Sequence, residues 1–175
     1  MSYSNSQFSI VEPAGLIRFS NSSTTTFGNN NKVLMTDTEN IVGTNIATIS
    51  SGIITLPVGY YYLLEASLSA GDAYNVSTHG TRQIYTQFYN ENSSAYIGTQ
   101  SYQNAEKPNA DDDSVLFSRD DTARCWIDAT SSEGSVSWKM QTIANSTYDR
   151  SDVQYTQSPQ QLWVGYTRCL VWRFN

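Results

Sequence analysis

Residues 53–70, IITLPVGYYYLLEASLSA, constrain the fold more than any other stretch of the chain. A short apolar run meets the turn Pro57-Val58-Gly59, and a long second run follows at once. From Tyr60 the even positions are Tyr60, Tyr62, Leu64, Ala66, Leu68 and Ala70. The odd positions drift polar through Tyr61, Leu63, Glu65, Ser67 and Ser69. Alternation with a period of two sends successive side chains to opposite faces of a strand. The even face is therefore expected against a core. A strand this long and this aromatic at its start suits a sandwich whose other face meets a neighbouring subunit.

The rest of the chain reads as further short strands. Residues 1–31 are rich in Ser, Asn and Thr, with one apolar island at 8–19. Inside that island Glu12-Pro13-Ala14-Gly15 is a turn signal between two β-prone runs. Residues 20–31 read as a loop or extended arm: either a disordered tail or an arm that orders on docking. The expected division is an arm over 1–31 and one domain over 32–175. In that domain strands are expected at 33–35, as a pair around Gly43-Thr44-Asn45 within 41–49, and at 53–56 and 60–70. Gly71-Asp72 and Thr78-His79-Gly80 bound a loop. Residues 83–89 and 95–102 form a hairpin over a turn without glycine. Strands follow at 114–118 and 123–129, flanking Asp120-Asp121. At 135–142, Val136, Trp138, Met140 and Thr142 alternate with Ser135, Ser137, Lys139 and Gln141. Residues 145–159 are a polar loop, and 162–174 a terminal strand. Helical periodicity is absent and no repeat is visible, so an all-β sandwich or barrel is expected.

Composition narrows the function. At 175 residues the chain can bury a core without metal or disulfide support. Charged residues make up only 15%, against a usual quarter, and uncharged polar residues and Tyr replace them. Such a surface fits extracellular or particle-bound β proteins. The net charge of −6 repels phosphate backbones, and Arg168 and Arg173 are too few to reverse that, so no nucleic acid is expected. No apolar run reaches the roughly 18 residues of a membrane helix, and the N-terminus carries no secretory-signal pattern. Neither membrane nor signal is expected. Cys125 and Cys169 lie in apolar strand patterns; they are buried free thiols or a bond between adjacent strands.

The serial order of elements resembles the C1q/TNF-like jelly roll. ITLPVGYYYLLEASLSA is similar to that family's pre-strand, Pro-x-Gly turn and aromatic strand. QIYTQFYNENSS, SVLFSRDDTARCWIDA and the terminal CLVWRF follow in the family's order. Two departures stand out: Asp120-Asp121 replaces the usual Gly-Asp, and the closing strand lacks a Ser-Gly pair. The resemblance covers roughly residues 33–174. It implies a jelly-roll sandwich and a homotrimer, with Tyr60, Tyr61, Tyr62, Trp126 and Trp172 around a threefold axis. It also points to bacteriophage virion proteins such as head decoration proteins, head fibres and tail spikes.

Catalytic chemistry finds little material. His79 is the only histidine and lies in a loop without a nucleophile elbow nearby. Asp111-Asp112-Asp113 is read as a solvated loop, because consecutive residues rarely aim at one ion. Glu65 falls on the less buried strand face, where it could pair with an arginine such as Arg124 at an oligomer interface or simply face solvent. No phosphate loop, zinc motif or dinucleotide fingerprint occurs. No enzyme, cofactor or metal is expected. The aromatic residues carry the functional signal. Trp126, Trp138, Trp163 and Trp172 are expected in core or subunit contacts, and Tyr85, Tyr89, Tyr96 and Tyr102 as a partner or sugar platform. The expected function is a trimeric structural protein on the outer surface of a virion, bridging major capsid protein or other virion subunits. The alternative is a receptor- or glycan-binding domain of a tail fibre or spike that meets a host surface glycan.

Overall fold

A computed structural model describes residues 12–20, 25–26, 32–68, 70–72, 80–107, 116–119, 122–142, 153–155 and 167–175. Every regular element among them is a strand. In chain order they are β1 (Gly15–Ser20), β2 (Thr25–Thr26), β3 (Asp37–Val42), β4 (Thr48–Ser50), β5 (Ile53–Leu56), β6 (Tyr61–Ser67) and β7 (Ala70–Asp72). Then follow β8 (Gly80–Asn90), β9 (Ala95–Lys107), β10 (Leu116–Arg119), β11 (Ala123–Asp128), β12 (Gly134–Thr142), β13 (Val153–Tyr155) and β14 (Arg168–Phe174).

Eleven strands make one antiparallel sheet in the order β3-β1-β14-β6-β11-β9-β8-β12-β5-β4, with β10 paired to β9. The path has one thin joint. β11 and β9 share a single registered pair, Arg124 with Thr99. The sheet thus divides into two halves of five strands, β3-β1-β14-β6-β11 and β9-β8-β12-β5-β4. One buried cluster draws on both. Ile17, Phe19, Tyr62, Leu64, Cys125, Ile127 and Val171 come from the first half, and Ile54, Leu56, Phe88, Val136 and Trp138 from the second. The sheet therefore curls over one core, as a β sandwich does.

The pattern that opens the strand reading holds in space. Tyr62, Leu64, Ala66 and Leu68 are buried. The Pro57-Val58-Gly59 turn is present, and Gly59 takes φ +102, a region closed to most side chains. Its N–H donates to Ala129 O at 2.8 Å, and Ala129 N–H returns a bond to Tyr60 O at 3.0 Å. The hairpin β8–β9 turns over residues 91–94, where Asn90 Oδ1 accepts from the N–H groups of Asn92 and Ser93 at 2.9 and 3.2 Å. That asparagine cap makes a glycine unnecessary.

Several expectations change. The boundary at 31/32 does not hold for β1. This strand pairs with β14 along its length and with β3 on its other side, and it sinks Ile17 and Phe19 into the core. Thr25–Thr26 also pair, with β13, in a small sheet of the order β2-β13-β7. That sheet puts Gly71-Asp72 and part of the 145–159 segment into strands rather than loops. Residues 41–49 are not a strand pair: β3 joins β1, whereas β4 joins β5. Residues 33–35 bury Val33 and Met35 without forming a ladder. Beside them stand the Lys32–Lys139 bridge and the bond from Val33 N–H to Trp138 O at 2.8 Å, because β5 already occupies β12 over 134–137.

Candidate functional site

The two outer faces of the curled sheet differ in chemistry. On the first half, burial of the even side chains of β6 turns the odd ones outward, and antiparallel partners share a face. Register then sets Leu16, Trp172, Leu63 and Trp126 side by side across β1, β14, β6 and β11. Phe174 and Tyr61 form the next row, and the rings of Trp126 and Phe174 lie 5.5 Å apart. Trp126 is 64% exposed and Tyr61 46%. Ile41 and Val42, near half exposed, continue the apolar surface at the β3 edge.

Glu65 sits within this face and fixes its neighbours. Trp172 Nε1–H donates to Glu65 Oε2 at 3.1 Å, and Arg124 Nε–H donates to Oε1 at 2.8 Å. The pairing with Arg124 anticipated from sequence is present. An exposed ion pair adds little stability. Its effect here is to hold the Trp172 indole and the Arg124 stem in one geometry.

The aromatic residues expected around a threefold axis separate in space. Tyr61, Trp126 and Trp172 share the outer face. Tyr62 does not: it is fully buried, and its hydroxyl donates to Pro57 O at 2.9 Å. Its even position points it into the core, so it cannot touch a neighbouring subunit. Tyr60 packs edge-on against Tyr62 with centroids 6.3 Å apart, and the Arg173 guanidinium lies 4.5 Å above it. Sequence reasoning missed Leu63, Leu170 and Phe174 as members of the face, although strand parity was available to find them.

The second half presents tyrosines and amides. Thr86, Phe88 and Ser101 point inward, so Tyr85, Gln87 and Tyr89 of β8 point outward. Register pairs Tyr85 with Tyr102 and Tyr89 with Tyr96, each with centroids 5.1 Å apart. All four tyrosines named from sequence are thereby brought together as two pairs on one face. Gln100 Nε2–H donates to Gln87 Oε1 at 3.3 Å, and Gln87 Nε2–H to Gly98 O at 2.9 Å. The Lys139 ammonium stands 3.3 Å over the Tyr89 ring. Burial, and then Tyr89, push the Tyr96 hydroxyl pKa up. Beside the strip, Lys32 lies 3.2 Å from Glu91 Oε1, which accepts the Ser137 hydroxyl at 2.6 Å. Burial raises the Glu91 pKa, but Ser137, Lys32 and Lys139 outweigh it and hold the carboxyl below its ordinary value.

Of the residues weighed for catalytic or metal chemistry, Glu65 is described, and it accepts from Trp172 and Arg124. His79, Asp111-Asp112-Asp113, Asp120-Asp121 and Trp163 lie outside the described residues. Among the described residues no group of His, Cys, Asp or Glu could hold a metal. Cys125 and Cys169 are free and buried. Both flank β6, Cys125 opposite Leu64 and Cys169 opposite Ala66. Two strand spacings, about 10 Å, separate their backbones, and a disulfide reaches across no more than about 7 Å. The alternative of a bond between adjacent strands therefore fails. Burial pushes the Cys125 thiol up to about 12. Burial, then Cys125 and Glu65, raise the Cys169 thiol well above its usual value.

No helix among the described residues is long and apolar enough to cross a membrane. Neither a protein-family model nor a curated protein matches the chain.

Proposed function

We propose that this chain is a non-enzymatic structural protein of a virus particle, working as a homotrimer on the outside of a phage capsid. In that role it decorates or cements the shell, or carries a head fibre, by bridging capsid subunits. The observation that carries the reading is the apolar outer face built from Leu63, Trp126, Trp172 and Phe174. Trp126 and Tyr61 are exposed on it, and Leu63, Trp172 and Phe174 are half-buried. Exposed apolar surface marks an interaction site, and Trp and Tyr anchors framed by polar groups are the usual content of a protein interface. Glu65 and Arg124 hold part of this face in place, which reduces the ordering cost of association.

The jelly-roll reading draws its support from strand order. Taking β1, β5, β6, β8, β9, β11, β12 and β14 as strands one to eight, the halves run 1-8-3-6 and 2-7-4-5. Strand one pairs with eight, two with seven, three with six and four with five. Such an order supports a jelly roll, in which one long hairpin wraps around a core. A low charge content in a polar, tyrosine-rich chain supports a place on a particle surface.

Light scattering on a sizing column tests the proposal. The expected species is three times the 19.5 kDa chain, or 58.5 kDa. Trp126→Glu should yield a folded monomer, because that side chain takes no part in the core. The wild-type trimer should co-sediment with capsids lacking it, and the Trp126→Glu monomer should not. A wild-type monomer at high concentration would remove the trimer from the mechanism.

A further inference from the structure

We infer that the outer face of the β8–β9 hairpin is a binding strip for an extended carbohydrate carrying an acidic group. The inference does not rest on trimer formation, because the strip lies on the opposite half of the sheet from the tryptophan face.

The strip has a defined layout. Its aromatic pairs, Tyr85 with Tyr102 and Tyr89 with Tyr96, stand at its two ends. Four residues of strand separate Tyr85 from Tyr89, about 13 Å at the usual rise. Gln87 and Gln100 lie between them, tied to each other and to Gly98 O. A sugar ring offers a C–H face to an aromatic ring and hydroxyls around its rim. Aromatic groups at both ends with fixed amides between them match several such rings in a row, and few side chains must be ordered on binding.

Comparison of the two faces selects the ligand class. The tryptophan face carries Leu63, Leu170 and Phe174, side chains suited to a dry protein contact. The tyrosine strip offers rings, amides and one ammonium group. Lys32 is matched by Glu91. Lys139 stands on Tyr89, and among the described residues no carboxylate lies in ion-pair range of it. Lys139 also acts on the Glu91 carboxylate. The two ammonium groups of Lys32 and Lys139 against that one carboxylate leave one positive charge among the described side chains of the strip, which suits one carboxylate or sulfate substituent. A polyanion such as nucleic acid needs several cations, and the net charge of −6 opposes it.

The test uses the full chain on an immobilised array of bacterial surface polysaccharides and animal glycans, followed by titration in solution. Wild type should bind acidic glycans. Tyr96→Ala and Tyr102→Ala should each weaken binding about tenfold or more, and Tyr96→Phe should retain it. Lys139→Met should abolish the preference for the acidic glycan over its carboxyl-reduced form. Because alanine variants could perturb the sheet, chemical-shift mapping on wild type supplies a second reading. Shifts should centre on Tyr85, Gln87, Tyr89, Tyr96, Gln100 and Tyr102. Absence of binding across the array overturns the inference, as do shifts centred elsewhere. Trp126→Glu should keep the single-site affinity, so failure of the trimer and failure of the strip are distinguishable.

Discussion

Gly98 joins the two halves of the sheet because it has no side chain. Its φ is +72, and a Cβ there would run into the Arg124 carbonyl oxygen and lie 2.6 Å from Cys125 Cβ. β9 can approach β11 only at a residue this small. Gly98→Ala should therefore lower stability by more than about 2 kcal/mol, combining a left-handed penalty of roughly 1–2 with overpacking of roughly 1–3. Urea unfolding checks this: the midpoint should fall while the slope stays constant. A lone glycine in a strand pattern is a known sign of close approach, so the joint had a cue in YIGTQ. Trp126 was legible in the same way. In ARCWID it shares parity with Arg124 and Asp128, which marks the exposed face. The separation of Cys125 from Cys169 was not legible, because it depends on which strand lies between them. Raised thiol pKa values leave almost no thiolate at pH 8. A thiol reagent at that pH should label neither cysteine in the native protein and both in denaturant; rapid native labelling would contradict the burial.

At the scale of elements, strands with clean alternation were readable and their partners were not. Residues 53–56, 123–128 and 134–142 announced themselves by period and by bounding turns. β1 did not, because GLIRFS is short and sits among polar residues that resemble an arm. Its place depends on β14, more than a hundred positions later, and local pattern carries no such information. The mistaken pairing of β3 with β4 has the same origin. The chain does bend at Gly43-Thr44-Asn45, with Gly43 and Asn45 at positive φ, yet each flanking strand finds a different neighbour. β1 therefore predicts a sharp contrast between truncations. Removing residues 1–11 leaves β1 whole and should leave the domain folded. Removing residues 1–20 strips Ile17 and Phe19 from the core and opens the β14 edge, so the product should aggregate or fail to melt cooperatively. Phe19→Ala alone should cost about 3–5 kcal/mol. Equal melting temperatures for the two truncations would show that β1 is dispensable.

Across the whole molecule, β1 pairs with β14, so the sheet forms only when segments more than a hundred positions apart meet. Such non-local pairing makes folding slow for the chain's size, in the millisecond-to-second range. Stability should also carry the signature of protons held in the closed core. Burial pushes the Tyr62 hydroxyl from 10 to about 12, with Arg173 opposing and Tyr60 adding to the shift. Burial alone pushes the Cys125 thiol from 9 to about 12. Both groups bind their proton more tightly in the folded state than in the unfolded one. Their contribution is therefore complete below pH 9 and declines as pH rises towards 12. At the acid end the sign reverses. For Asp128 the hydroxyl and then the N–H of Thr130 lower the carboxyl pKa, and Glu91 is lowered as well. Their contribution is present above the ordinary carboxylate range and declines as pH falls through and below it. Melting temperature should thus form a plateau between about pH 5 and 9 with losses on both sides. Tyr62→Phe separates the alkaline causes. It forfeits the bond to Pro57 O, about 1 kcal/mol, at every pH below 9. It also removes the tyrosine share of the alkaline loss, so the wild-type and variant curves should converge as pH rises from 10 to 12. Curves that stay parallel across that interval would mean that Tyr62 ionises as readily in the folded chain as in the unfolded one, and that the core is open to water at its largest tyrosine.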